Sequence, residues 1–217
     1  MSISAKQVKE LRDQTGAGFM DCKNALSESE GDFAKAIEFL QSKQLASVSK
    51  KQGRVAAEGS IGSYIHMGGR IGVLLEVNCE TDFVARNDDF QAFIKDISMH
   101  IAAAGPTVVR ESELDPADIA QQQKIFKLQA MEEGKPEAIA EKMVIGRVKK
   151  WARSVVLEHQ QFVKDTDKTI AEVEADITVK LGEKISIRRF ARFEVGEGIE
   201  KREDDFAAEV AKAAGLA

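Results

Sequence analysis

The sequence predicts an α+β protein: a small N-terminal three-helix unit, then a core in which a three-stranded antiparallel sheet is packed with helices. Three observations carry this. Residues 3 to about 42 place apolar side chains at helical spacing between glycine-rich breaks. From Gly59 the pattern switches to period two on either side of Gly68 and Gly69, as in a hairpin. Helical periodicity then returns, and a single later alternating run, near residues 185 to 195, supplies a third strand.

In "SAKQVKELRDQTGAG", Ser4 can cap a first helix whose Val8 and Leu11 share a face and which Gly16 and Gly18 end. The second helix, "FMDCKNALSESEG", sets Met20, Cys22 and Leu26 among polar residues and stops at Gly31. Asp32 caps "FAKAIEFLQSK", where Phe33, Ile37 and Leu40 recur at spacings of four and three. About 40 residues is near the lower limit for independent folding, so residues 1–45 read as a docking module. Residues 46–58, "ASVSKKQGRVAAE", lack a sustained apolar period and read as a linker with some helix in it.

The core then spans 59–198. Gly68-Gly69 between alternating runs predicts a two-residue hairpin turn, with Ile71, Val73, Leu75, Val77 and Cys79 on one face of the second strand. "DDFQAFIKDISMHIAAAG" carries a stripe of Phe90, Phe93, Ile94, Ile97 and Ile101 and ends at Gly105-Pro106. Asp115-Pro116 opens a helix reaching about Glu133, and Pro136 suits the first turn of the next, since its missing N–H costs nothing there. "QQFVKDTDK" closes that pair of helices, and "TIAEVEADITVKLG" leads into the strand "KISIRRFARFEV". After Gly198, residues 199–217 predict a terminal amphipathic helix with Phe206 and Val210 on one side.

Composition narrows the chemistry. Of 217 residues 43% are hydrophobic and 31% charged, and 31 Lys plus Arg against 36 Asp plus Glu give a net charge of −5, which argues mildly against a life on nucleic-acid phosphates. Cys22 and Cys79 are too few for a disulfide scaffold or a four-thiolate zinc site, so reduced, cytosolic thiols are expected. The first residues hold no apolar signal core, and nowhere do 18 apolar residues run together, so a cytoplasmic protein without a membrane anchor is expected. Cys22 has no base nearby in sequence and Cys79 lies on the apolar parity of its strand, so both read as small buried hydrophobes, and His66, His100 and His159 stand at no ligand spacing. Glu80, Asp82, Asp88 and Asp89 read as a solvated helix-capping cluster rather than a metal site, and no phosphate-binding glycine loop is present. Arg188, Arg189 and Arg192 are expected to pair with carboxylates.

One feature stays unexplained by composition. Phe19 and Met20 directly follow Gly18, and Phe83 and Val84 directly follow Asp82, where turns normally carry small polar residues. They either staple each helix onto its own core or insert into another protein, and the residues alone leave both readings open.

"LRDQTGAGFMDCKNAL" (11–26), "VNCETDFVARNDDFQAF" (77–93), "GKPEAIAEKMVIGRVKKW" (134–151) and "RRFARFEVGEGIEKREDDFAAEV" (188–210) resemble the bacterial elongation factor Ts family, in the family's order and over nearly the whole chain. The resemblance implies a guanine nucleotide exchange factor that binds elongation factor Tu, GDP-bound and nucleotide-free, and promotes GDP release without covalent chemistry, a cofactor, direct contact with nucleic acid or a membrane. It implies that the N-terminal domain is ubiquitin-associated-like and contacts the GTPase through Leu11, Thr15, Gly16, Ala17, Gly18, Phe19 and Met20. Thr81, Asp82, Phe83 and Val84 map onto the family's magnesium-dislodging wedge, and Phe206 onto a third contact. Asp82 could compete for hydrogen bonds around the magnesium or cap the helix behind the wedge. Long members repeat the sheet subdomain. Here there is one hairpin and one later strand, as in the short members that pair two chains, so the resemblance also implies a homodimer.

Overall fold

The computed structural model describes residues 3–199, apart from the side chain of Leu45; the expected terminal helix with Phe206 and Val210 lies outside them. Helix α1 (Ala5–Thr15) starts at Ser4, whose side chain accepts from the Gln7 N–H while the Gln7 side chain accepts from the Ser4 N–H, and it ends at Gly16 in the left-handed conformation. Helix α2 (Phe19–Glu28) follows Gly18, and α3 (Phe33–Gln52) is capped by Asp32. Val8, Leu11, Cys22, Ala25, Leu26, Ala36 and Leu40 form the unit's own buried core.

Helix α3 runs nine residues past the expected end at Lys43, so most of the stretch read as a linker is helical and only Gly53 to Ala57 is irregular before the first strand. Two causes are visible. Residues 43 to 52 contain no glycine or proline, and Lys50 and Lys51 in the last turn favour the negative end of the helix dipole. The extension also packs on the core, where the Gln44 amide donates to Asp176 Oδ1 at 2.6 Å.

Strands β1 (Glu58–His66) and β2 (Ile71–Cys79) pair antiparallel, with Val73, Leu75, Val77 and Cys79 buried as the alternation predicts. The turn between them is not the expected two-residue one. His66 faces Ile71 across the ladder, leaving Met67 to Arg70 in the loop, because Met67, Gly68 and Gly69 all take positive φ and the Arg70 N–H reaches back to the His66 carbonyl at 3.1 Å. Beyond β2 come the short helix α4 (Asp82–Ala85) and α5 (Asp88–Ala104), whose Phe90, Phe93, Ile94, Ile97 and Ile101 are buried against the sheet. Gly62 of β1 makes this close approach possible, since a Cβ there would overlap Ile94 Cγ2.

Helices α6 (Pro116–Glu132) and α7 (Glu137–Val155) form a hairpin held by Lys127 with Glu137 and Glu141 and by Arg147 with Glu133. Pro136 stands one position earlier than expected, at the cap itself. The stretch read as the end of this pair is instead a small two-stranded ribbon, β3 (Gln161–Phe162) and β4 (Asp165–Thr169). The two residues of β3 are too few to show a period, and β4 is exposed along nearly its whole length. The ribbon is tied down by buried His100: the Val163 N–H donates to its Nδ1 at 3.3 Å, which leaves Nε2 to donate to Gln160 Oε1 at 3.0 Å, and burial holds the imidazole below its usual range. Helix α8 (Ile170–Leu181) then leads to β5 (Ser186–Glu194), which joins β2 to give the sheet order β1-β2-β5. Arg188 and Arg189 pair with Glu76 and Arg192 with Glu194, the carboxylate partners expected of them.

Candidate functional site: two apolar turns

The segment Thr81 to Val84 leaves the sheet at the end of β2, where Cys79 is buried and its thiol donates to the Thr81 carbonyl at 3.1 Å. Desolvation first, and then the nearby Glu183 carboxylate, push this thiol up to about 11, so it stays protonated and acts as an apolar anchor. Thr81 caps α4, accepting from the Val84 N–H at 3.4 Å. Its own hydroxyl donates to Glu183 Oε1 at 2.7 Å, while Glu183 Oε2 accepts from the Glu80 and Thr81 N–H groups at 3.1 and 3.0 Å. Glu80 in turn accepts from the Lys184 N–H at 2.6 Å and from Arg54 at 3.2 Å, and these two donors hold its carboxyl below the usual range.

This bracing fixes what the side chains of α4 do. Ala85 is buried and Val84 packs against the core, yet Phe83 is 81% exposed. For Phe83 the staple reading therefore fails, while Val84 is the residue that tucks the helix down. Asp82 lies in the first turn of α4 and pairs with Arg86 at 2.6 Å. It caps neither helix, because Thr81 caps α4 and Asn87 caps α5. Asp88 and Asp89 stand in the first turn of α5, where the helix dipole favours them. Among the described residues no group of three or more His, Cys, Asp or Glu is placed to hold a metal ion.

The N-terminal turn is built differently. The Thr15 hydroxyl donates to the Leu11 carbonyl at 2.7 Å and accepts from the Ala17 N–H at 3.3 Å, so the bend is tied within seven residues of its own sequence. Gly16 supplies the left-handed step, φ 66°, that a Cβ would strain. Phe19 and Met20 come out of this turn 48% and 60% exposed. Leu11, grouped with them by resemblance, is fully buried and supports the turn from beneath.

Glu183, Lys184 and Arg54 escape a reading of the sequence. They stand 103, 104 and 26 residues from Glu80, and nothing in their local pattern marks them as its partners. A cavity of about 470 Å³ between α3 and α8 was equally invisible. It is lined by Lys51, Arg110, Glu158, Glu174 and Lys184, and burial pushes the Glu174 carboxyl up to about 7.

Both turns hold exposed apolar side chains on hydrogen-bonded supports, an arrangement suited to contact with another protein. The family model for elongation factor Ts matches residues 8–197. The chain is 59% identical over 209 residues to the elongation factor Ts of Desulforamulus reducens, covering 96% of each chain. It is 58% identical over 216 residues to that of Geobacter metallireducens, covering 100% of each, and 55% identical over 210 residues to that of Desulfitobacterium hafniense, covering 97% of each. The chain belongs to the elongation factor Ts family, and so to the translation elongation factors. No described helix is long and apolar enough to cross a membrane.

Proposed function

We propose that the protein is the guanine nucleotide exchange factor for elongation factor Tu, acting in the cytoplasm, with Phe83 as the side chain that enters the partner. The carrying observation is that an aromatic 81% exposed to water stands on a four-residue helix braced from below. In this reading Thr15 to Met20 grip the nucleotide domain of the GTPase. Thr81 to Val84 then dislodge the magnesium bound with GDP, and Asp82, free of any capping duty, competes for hydrogen bonds around the ion.

Exchange is a coupling free energy, so whatever the factor takes from nucleotide affinity the nucleotide takes equally from affinity for the factor. Weakening a tight complex roughly a thousandfold needs about 4 kcal/mol. Burying one Phe contributes about 1.5–3 kcal/mol, so the N-terminal grip must supply part of the rest. The test is release of labelled GDP from elongation factor Tu. Phe83→Ala should slow it with the fold intact, and an unchanged rate removes the wedge from the mechanism.

A homodimer belongs to the same proposal. Its support is the sheet face turned away from α5, where Ile61, Ile65, Leu74 and Phe193 are all more than half exposed. A second copy laid on that face would bury the row. Sedimentation equilibrium on Phe193→Glu should show a shift to monomer.

A further inference from the structure

The loop between α8 and β5 is pinned at both ends by one residue. Buried Thr178 accepts the Gly182 N–H on its carbonyl at 3.1 Å and the Ile185 N–H on its hydroxyl at 3.3 Å. From this fixed loop Glu183 accepts from two backbone N–H groups and the Thr81 hydroxyl at the entry to α4, and the Lys184 N–H donates in turn to the Glu80 carboxylate. The Lys184 ammonium donates to the carbonyls of Gln52 and Arg54 at 2.6 and 2.9 Å, where α3 ends and the chain leaves the N-terminal unit. The Arg54 guanidinium closes the circuit on Glu80.

We infer that Glu183 and Lys184 are positioning residues for nucleotide exchange: Glu183 sets the wedge, Lys184 sets the exit of the N-terminal unit, and their adjacency holds the two contact surfaces in one fixed relation. The inference rests on reading Phe83 as the wedge. A carboxylate suits the task because both oxygens accept, and charge-assisted bonds to backbone N–H groups are stronger than neutral ones. The two N–H groups it takes, those of Glu80 and Thr81, lie just past the last ladder pair, Glu58 with Cys79, so without Glu183 the backbone entering α4 has no strand to hold it. A wedge free to swing would lose its orientation before it met the partner, which lowers the rate of displacement more than the affinity of docking.

The experiment measures GDP release at increasing concentrations of the factor, giving a saturating rate and a half-saturating concentration. Glu183→Ala should lower the saturating rate about tenfold with the half-saturating concentration changed less than twofold. Lys184→Met should do the reverse, raising the half-saturating concentration several-fold with the saturating rate kept. In a Phe83→Ala background Glu183→Ala should add less than a twofold change, since there is no longer an aromatic to aim. If Phe83→Ala slows release and Glu183→Ala does not, the positioning role is overturned while the wedge stands. If Phe83→Ala has no effect, the wedge reading itself has failed. Should circular dichroism show Glu183→Ala unfolded, Glu183→Gln, which keeps the shape and one acceptor, carries the test, and a wild-type rate in that variant overturns the inference.

Discussion

The two apolar turns solve one problem by opposite means. At the N-terminal turn the supporting hydrogen bonds come from Thr15 to residues within four positions of it, and the core beneath is seven side chains drawn from three adjacent helices. At the Phe83 turn the support comes from Glu183, more than a hundred residues away, and through Glu80 from Arg54 and Lys184. A locally tied turn keeps its shape whenever its own helices are folded. One tied at long range keeps its shape only when the whole core is assembled, so its exposed aromatic is presented only by the native state.

The comparison can be broken most severely at the N-terminal core. Leu26→Ala removes a fully buried side chain from a cluster of seven and should cost about 2–5 kcal/mol, enough to melt this unit while β1, β2 and β5 persist. Two separate thermal transitions would show it. A single unchanged transition would mean that α3 docked on α8 makes the two regions one cooperative body.

The next effect concerns Glu174. Burial pushes its carboxyl up to about 7 from the ordinary 4.5, so the folded protein binds the extra proton and this group's contribution to stability falls as pH rises from about 4.5 to 7. Glu174→Gln should flatten that slope and raise stability at pH 8 by at most about 3 kcal/mol. Urea midpoints measured at pH 5 and pH 8 would check it, and equal slopes for both proteins would refute the assignment. Thr81→Val should cost less, about 1 kcal/mol, because the cap of α4 and one bond to Glu183 are lost together. The same substitution at Thr15 should be felt by the N-terminal transition alone.

The smallest changes in stability should come from the residues with the largest proposed role. Phe83→Ala and Met20→Ala remove exposed side chains and should shift the melting midpoint by the equivalent of no more than about 0.5 kcal/mol. A larger loss in Phe83→Ala would mean that the ring packs on its own core in solution.

What the sequence made legible follows the same division. Ser4, Asp32 and Asp115 mark helix starts, and Gly16, Gly105 and Gly182 mark ends, because caps and left-handed stops are set by neighbouring residues. The alternation from Ile71 to Cys79 gave the buried face of β2 by the same local logic. The four-residue loop at Met67 to Arg70 is not legible, because a glycine pair signals a turn without fixing its length. The last turns of α3 leave no apolar period in the sequence because packing on α8 favours them. At the site, resemblance pointed to Phe83, but which of the apolar residues at that turn face water depends on Glu183, and no pattern within 20 residues of Phe83 contains it.

Gly62 carries a different kind of consequence. The strand and α5 meet there with no room for even one methyl, so this position works as a gauge block that sets the gap between sheet and helix. Alanine would force Ile94 aside at about 1–3 kcal/mol, and every larger residue would lift the helix that begins directly behind the wedge. In a library of random variants selected for growth, position 62 should therefore hold to a single residue, although the glycine bears no functional group.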